Sequence, residues 1–452
     1  MKKIRLKSKE ERRFKAGHPW VFSNELQESP KNVGIGELIE LCDAGGAFLA
    51  YGFGNPNSLI SFRELTRDQN CKHIKDGILA FSFFVEKFDL ALTFRKSWFN
   101  LNESFRMIYG EADGLSGLII DRFVGDKTSG SAHEVYVVQP HASGMDQHLG
   151  LIREALSAVS KKLEDKNPLL IIRRDASSRE KEGLTKEAPE VSYLYSDALG
   201  GSVNLDGLNS FSFKVPSEQG ESGQTLTLQC DLISGQKTGF YFDQLQNIKR
   251  LQSLIREKQS HVHAKKISIL DLCAYVGQWG AHLQKTLSQL KINEVKYIAV
   301  DVSAQALALA KINVENAAKF AGHSSAYTCT VATIKADVLE PLETLANKTF
   351  DIVIADPPAF IKNRKSIPQG KQAYVQLYQT AIEKTAPGGL VVACSCSQLL
   401  SHEEFLACLG KATKRSGRTV RWLTLGSPSF DHFARLDFQE GHYLKSFIGQ
   451  VS

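Results

Sequence analysis

From about residue 230 onward, short apolar segments alternate with amphipathic stretches, and this alternation constrains the fold more than any other feature of the chain. Ile267–Leu272, Tyr297–Asp301, Tyr327–Val331, Phe350–Ala355 and Leu390–Ser395 read as strands, and residues 279–290, 303–318, 371–386 and 402–415 read as helices. A strand joined through a helix to a parallel neighbour needs cover on both faces. The pattern therefore predicts an α/β, doubly wound, Rossmann-like sheet. The tail departs from it. Thr419–Leu425 and His442–Ile448 are strand-like with no helix between them, and are expected to close one edge as an antiparallel pair.

A chain of 452 residues exceeds one hydrophobic core. Residues 1–75 read as a small β-rich unit, with Trp20–Phe22, Gly36–Leu41, Phe48–Tyr51 and Leu59–Arg63 separated by Gly, Asn and Pro turns. Residues 76–228 form a central α+β region. Its helix over 76–100 carries Ile78, Leu79, Phe83, Phe84, Phe88, Leu92 and Trp98 at near-helical spacing, and a second helix lies around 144–163. Its strands are Leu118–Asp121, Val135–Gln139 and Leu169–Arg173, with a polar loop over Lys181–Glu190. Residues 229–452 make the α/β domain, entered through Thr225–Asp231.

Net charge is +6, and residues 1–20 alone hold eight Lys/Arg against two Glu, so the rest is about neutral. A basic arm on a neutral body suits a polyanion partner; the bland alternative is a solvated terminus. No apolar stretch approaches the roughly 20 residues that cross a bilayer, and MKKIRLKSKEERR has no signal-peptide h-region. The eight cysteines show no metal-like pair spacing, so no metal is expected. Cys394 and Cys396 are too close for an ordinary disulfide on one strand. Free thiols in a reducing cytoplasm follow.

Five strand ends of the α/β domain carry chemistry. Asp271-Leu-Cys-Ala-Tyr-Val-Gly277-Gln-Trp-Gly280 joins its first strand to a helix, and glycine there permits a tight turn and close ligand approach. Asp301 ends the second strand, 21 residues after Gly280, where an acid accepts from ribose hydroxyls. Together they indicate an adenosine-type cofactor; a tight turn plus helix cap is the plain alternative. Asp337, after the third strand, suits an adenine amino group or a helix cap. Asp356-Pro-Pro-Ala-Phe360 is more specific. Two prolines stiffen the exit from a buried strand and project Asp356 and Phe360 into the crevice at the strand ends. Phe360 is then placed to stack on a base. Cys396 stands at the end of the neighbouring strand, whereas Cys394 reads as a packing residue. A thiol beside a carboxylate suggests nucleophilic attack on a flat aromatic ring. That thiol reacts as thiolate and needs a positive field, for which Lys362, Arg364 and Lys365 are candidates.

These motifs together resemble class I S-adenosylmethionine methyltransferases, and most closely the bacterial 23S ribosomal RNA cytosine-C5 methyltransferase family of the RlmI type. The resemblance spans nearly the whole chain. Arg13-Phe-Lys-Ala-Gly-His-Pro-Trp-Val-Phe22 resembles that family's PUA module, an RNA-binding β-barrel. Tyr109–Arg122 resembles its central domain, Gly235–Gln244 the segment entering its catalytic domain, and Gln439–Phe447 its last strand. The resemblance implies that Gln244, Tyr275, Gly277, Asp301, Asp337 and Asp356 line a pocket for S-adenosyl-L-methionine. It also implies that Cys396 is the nucleophile. Gln278 stands where the family often has Gly, and Leu245 and Ile248 stand where it usually has Arg.

The mechanism expected is addition of Cys396 to C6 of cytosine, which activates C5 for methylation while Asp356 holds the N3 edge. Arg12, Arg13, Lys15, His18, Trp20, Phe360 and Lys362 are the expected RNA contacts, with free or partly assembled 23S RNA as partner and a homodimer left open. Two other readings stand beside this one: methylation of a guanine or adenine nitrogen, with Cys396 a packing residue, and an RNA-binding assembly factor with an inactive methyltransferase fold.

Overall fold

The computed structural model describes residues 1–129, 133–195, 205, 207–216, 225–258, 265–321 and 327–452. The chain forms two compact units. One gathers Met1–Pro216, Asp231–Phe240 and Phe430–Gly441; the other gathers Ser217–Cys230, Tyr241–Ser429 and His442–Ser452.

The first unit opens with a five-stranded sheet in the order Lys2–Arg5, Leu38–Cys42, Phe48–Gly54, Ile60–Thr66, Trp20–Phe22. Four of these strands follow the sequence reading. Lys2–Arg5 was not expected as a strand, because Lys, Lys and Arg surround one apolar residue. It pairs in parallel with Leu38–Cys42 at the sheet edge and buries only Ile4, which joins Leu6, Phe14, Val21, Ile39, Leu41 and Phe62 in one core. A lysine-rich edge strand of this kind also resists pairing with other chains.

A second five-stranded sheet follows in the order Glu190–Tyr193, Leu169–Ile172, Glu134–Pro140, Leu118–Val124, Phe105–Tyr109. Helices Phe81–Lys96 and Leu149–Lys162 contribute Phe83, Phe84, Phe88, Leu156 and Val159 to its core. The helix expected over 144–163 is interrupted at His148, between Ser143–Gln147 and Leu149–Lys162.

In the second unit we number the sheet strands β1 (Lys266–Leu272), β2 (Glu294–Asp301), β3 (Thr328–Lys335), β4 (Phe350–Ala355), β5 (Thr385–Ser395), β6 (Val420–Gly426) and β7 (Lys445–Val451). Their spatial order is β3-β2-β1-β4-β5-β7-β6. The first five are parallel, and β7 runs antiparallel between β5 and β6. The helices are α1 (Leu245–Glu257), α2 (Gln278–Gln289), α3 (Ala304–Ala321), α4 (Ile367–Lys384) and α5 (His402–Ser416). This is the doubly wound sheet that the alternation predicted, with an antiparallel last strand.

Helix α1 was not singled out in the sequence, although Leu245, Ile248, Leu251 and Ile255 recur on one face and all four are buried. Leu245 and Ile248, the departures from the family pattern, thus belong to the packed face of α1. Ser401 starts α5 by a capping box with Glu404, each side chain bonding the other's backbone N–H.

Candidate active site

Each of the five parallel strands ends in a loop that carries a residue singled out by sequence. After β1 the chain makes three left-handed steps, Cys273 (φ 66), Tyr275 (φ 48) and Gly277 (φ 73). Left-handed backbone costs a non-glycine residue roughly 1 kcal/mol or more. The loop is held by the Val300 carbonyl, which accepts from Cys273 N at 2.9 Å and Ala274 N at 3.0 Å. Asp301 accepts from Tyr275 N at 2.9 Å through one oxygen and from Ser303 N at 2.9 Å through the other. Gly277 is the N-cap of α2, and a Cβ there would lie 3.0 Å from Ala310 Cα, so conformation and packing both demand glycine. Tyr275, Gly277 and Asp301 are therefore brought together.

Two buried polar atoms flank this loop without a partner among the described residues, Asp271 Oδ1 in β1 and Gln278 Oε1 at the start of α2. Asp271 is sealed inside β1, and burial pushes its carboxyl up to about 8, against the opposing hydrogen bond from the Tyr297 hydroxyl at 2.7 Å. Unmet polar atoms of this kind fit a ligand rich in hydrogen-bonding groups and not an apolar one. Asp337 lies exposed beyond β3, where its Oδ1 accepts from Leu339 N at 2.9 Å in a local turn and caps no α-helix.

Asp356 is gripped from two sides. Its Oδ1 accepts from Gln244 Nε2 at 2.8 Å and its Oδ2 from Trp279 Nε1 at 3.0 Å. Gln244 is fixed in turn by Asn247, which donates to its Oε1 at 2.7 Å. Trp279, second residue of α2 and 2% exposed, was not picked out in the sequence. The following turn reaches Cys396, whose Sγ lies 3.7 Å from the Pro357 carbonyl. Ser397 Oγ ties the two loops, meeting the Tyr374 hydroxyl at 2.7 Å and accepting from Ile361 N at 3.1 Å. Phe360 packs on Tyr374 with ring centroids 4.8 Å apart and stays half-buried. Cys394 is fully buried against Ser446, and burial drives its thiol well above the ordinary range, as befits a packing residue.

Two further residues belong here that sequence reasoning did not name. Tyr241 packs edge-on against Tyr275 at 5.1 Å; burial, then the neighbouring Tyr275 and Cys396, hold its hydroxyl well above 10. Lys445, first residue of β7, is 1% exposed and donates to the carbonyls of Ser397 at 2.8 Å and Tyr443 at 2.7 Å. Lys362, Arg364 and Lys365 are exposed.

In the first unit, Arg12 and Lys15 are exposed on the helix Glu11–Lys15. Arg13 is engaged by Glu25 at 2.8 Å and lies over the Phe22 ring. His18 and Trp20 join Phe438 in an aromatic cluster, with the Trp20 indole N–H donating to Glu111 at 2.9 Å. Trp20 and Phe438 help line a cleft of about 140 Å³. Among the described residues no helix is long and apolar enough to cross a membrane, and no group of His, Cys, Asp and Glu could hold a metal ion.

The strand order and the polar loops at the strand ends define the second unit as a class I methyltransferase fold. Residues 245–419 match the FtsJ-like methyltransferase family, and residues 4–67 match the PUA-like domain. A Streptococcus mutans protein assigned as an S-adenosylmethionine-dependent methyltransferase superposes over 100% of both chains with a TM-score of 0.67 at 17% identity. A further such structure, solved in complex with S-adenosylhomocysteine, also covers 100% of both, with a TM-score of 0.69 at 18% identity.

Beyond the fold, the chain is similar over nearly its whole length to proteins named ribosomal RNA large subunit methyltransferase I. It is 28% identical to that of Alteromonas mediterranea and 29% identical to that of Aliivibrio fischeri strain MJ11, covering 96% of this chain and 95% of each relative. A ribosomal RNA large subunit methyltransferase of Deinococcus radiodurans is 27% identical over 99% of this chain and 97% of its own length.

Proposed function

We propose that this chain is an S-adenosylmethionine-dependent ribosomal RNA methyltransferase that forms 5-methylcytosine in 23S RNA through a cysteine adduct. The observation that carries the reading is the Cys396 thiol, 3.7 Å from the carbonyl of the turn that Asp356 begins. Nitrogen methylation needs no thiol at that point. C5 of cytosine is a weak nucleophile within a conjugated ring. Addition of the Cys396 thiolate to C6 shifts the ring electrons toward N3, where Asp356 holds the proton taken up, and leaves C5 electron-rich. When bound, S-adenosylmethionine supplies the electrophilic methyl group that C5 takes up. Loss of the C5 proton to water then returns an electron pair to the ring, restores the C5–C6 double bond and expels Cys396 as thiolate, and N3 gives back its proton past Asp356 to leave neutral 5-methylcytosine.

In this reading Gln244, Tyr275, Gly277, Asp301, Asp337 and Asp356 hold the cofactor. The unmet atoms of Asp271 and Gln278 suit the polar groups it brings. The target base leaves its stack to reach the crevice, which favours single-stranded or open RNA in the cytoplasm. Phe360 offers it a ring face, and Arg12, Arg13, Lys15, His18, Trp20 and Lys362 contact the RNA. Residues 1–75, 76–228 and 229–452 divide the work as RNA-binding, central and catalytic domains. Incubation of Cys396→Ala with unmodified RNA and labelled S-adenosylmethionine tests the mechanism: we expect no 5-methylcytosine by mass spectrometry. Undiminished transfer by the variant, or a methyl group on a ring nitrogen, would refute it.

A further inference from the structure

A thiol at Cys396 attacks only as thiolate, and water screens the exposed Lys362, Arg364 and Lys365. A different cation lies at the same end of the sheet. Lys445 opens β7 in register with Ser395 of β5, the residue just before Cys396. Its ammonium is buried, donates to the carbonyl of Ser397, the residue just after Cys396, and makes no ion pair among the described residues. A buried charge without a counter-ion is costly unless something nearby gains from it.

Among the described residues, the titratable groups that face it are Cys396, Glu404 and His402. Burial draws Lys445 down to about 8, while the charges of Cys396 and then Glu404 oppose that fall. Glu404, on α5, is already paired with Lys371. His402, also on α5, is pushed down first by burial and then by Lys445 and His442, so it adds no cation near neutral pH. Around Cys396 stand Tyr241, Tyr374 and Tyr378, all held protonated mainly by burial, and the Asp356 carboxylate just before Pro357, whose negative charge opposes a thiolate and has to be outweighed. Cys396 is thus the group whose ionisation Lys445 is placed to serve.

We infer that Lys445 is a positioning residue whose buried ammonium holds Cys396 as the thiolate, before it attacks the base and again when the adduct collapses. The thiol proton passes to water, and Lys445 keeps its own. The two backbone hydrogen bonds fix the ammonium beside the Cys396 turn, so the field needs no rearrangement at the moment of reaction. The role rests on the methyltransferase reading above.

The test needs neither RNA nor cofactor. The full-length chain is alkylated with iodoacetamide across a pH series, and modification of Cys396 is followed by peptide mass spectrometry, because the chain has eight cysteines. Lys445→Gln removes the charge but keeps an amide donor for the two carbonyls, so a purely structural brace survives it. We expect Lys445→Gln to be alkylated about tenfold more slowly at pH 7, with its midpoint about one pH unit higher. Lys445→Arg should stay close to the wild type. A Gln variant with the wild-type rate and midpoint overturns the inference. Should that variant fail to fold, the wild type decides. A Cys396 midpoint below the ~8.5 of a free thiol supports the role, and one at or above it overturns the role. Failure here leaves the methylation reading standing, whereas that reading falls on the separate Cys396→Ala result.

Discussion

Trp279→Phe isolates the grip on Asp356. The indole N–H donates to Asp356 Oδ2 at 3.0 Å, while Oδ1 keeps the Gln244 amide at 2.8 Å. Phenylalanine preserves most of the apolar contact of a side chain only 2% exposed, and removes one donor to a carboxylate. Hydrogen bonds to charged groups contribute about 1.5–3 kcal/mol, and about 1.4 kcal/mol is tenfold in rate. If Asp356 works on the N3 edge in the transition state, kcat should fall roughly tenfold to a hundredfold. Loss of a donor to the carboxylate also favours its protonation, so the acid limb of the pH–rate profile should move to higher pH. The smaller ring costs about 1–2 kcal/mol of stability, which melting measures independently. The assay is methyl transfer to unmodified RNA at saturating cofactor from pH 5 to 9. A folded Trp279→Phe enzyme with unchanged kcat and an unmoved acid limb would show that this hydrogen bond does not position Asp356 for chemistry.

Two further outcomes follow from the packing behind the site. Gly280→Ala should gain helix propensity but lose net stability by about 2–4 kcal/mol. Its Cβ would lie 2.4 Å from the buried Tyr297 ring, which Asp271 holds in place; an unchanged melting temperature would contradict this. His282 is buried, its Nε2 has no partner among the described residues, and burial pulls it down to about 3. Its folded value lies below the ordinary ~6.5, so its contribution is intact above pH 6.5 and is lost as pH falls toward 3. The urea midpoint of His282→Leu should therefore decline less between pH 6.5 and 4 than that of the wild type, and parallel slopes would rule this out.

The sheet was legible because its central strands β1, β4, β5 and β7 are largely buried and announce themselves as apolar runs, and the edge strands β3 and β6, which bury no residue, were read from their place along the chain. Lys2–Arg5 was not, because one buried Ile4 in four residues leaves no periodicity to read. The loops of the site were legible wherever a backbone requirement leaves a mark, as with Gly277 or the paired prolines after Asp356. Trp279, Tyr241 and Lys445 left none. A tryptophan one residue into a helix reads as core, and a lysine at a strand end reads as a solvated head. Their meaning depends on partners 77 residues away for Trp279 and 48 for Lys445, which only the sheet order brings near.

The first unit also sets a timetable for synthesis. Its last piece, Phe430–Gly441, follows the whole run of β1 to β6 in the chain. That piece supplies Phe438 to Trp20, Glu440 to His18, and the Asp431 carboxylate that accepts from Arg106 N at 2.9 Å. At about 5–20 residues per second a ribosome needs roughly ten to fifty seconds to travel from residue 216 to residue 441. Throughout that interval the N-terminal unit has been made but cannot close. An expression fragment cut at residue 216 would stay in that state permanently.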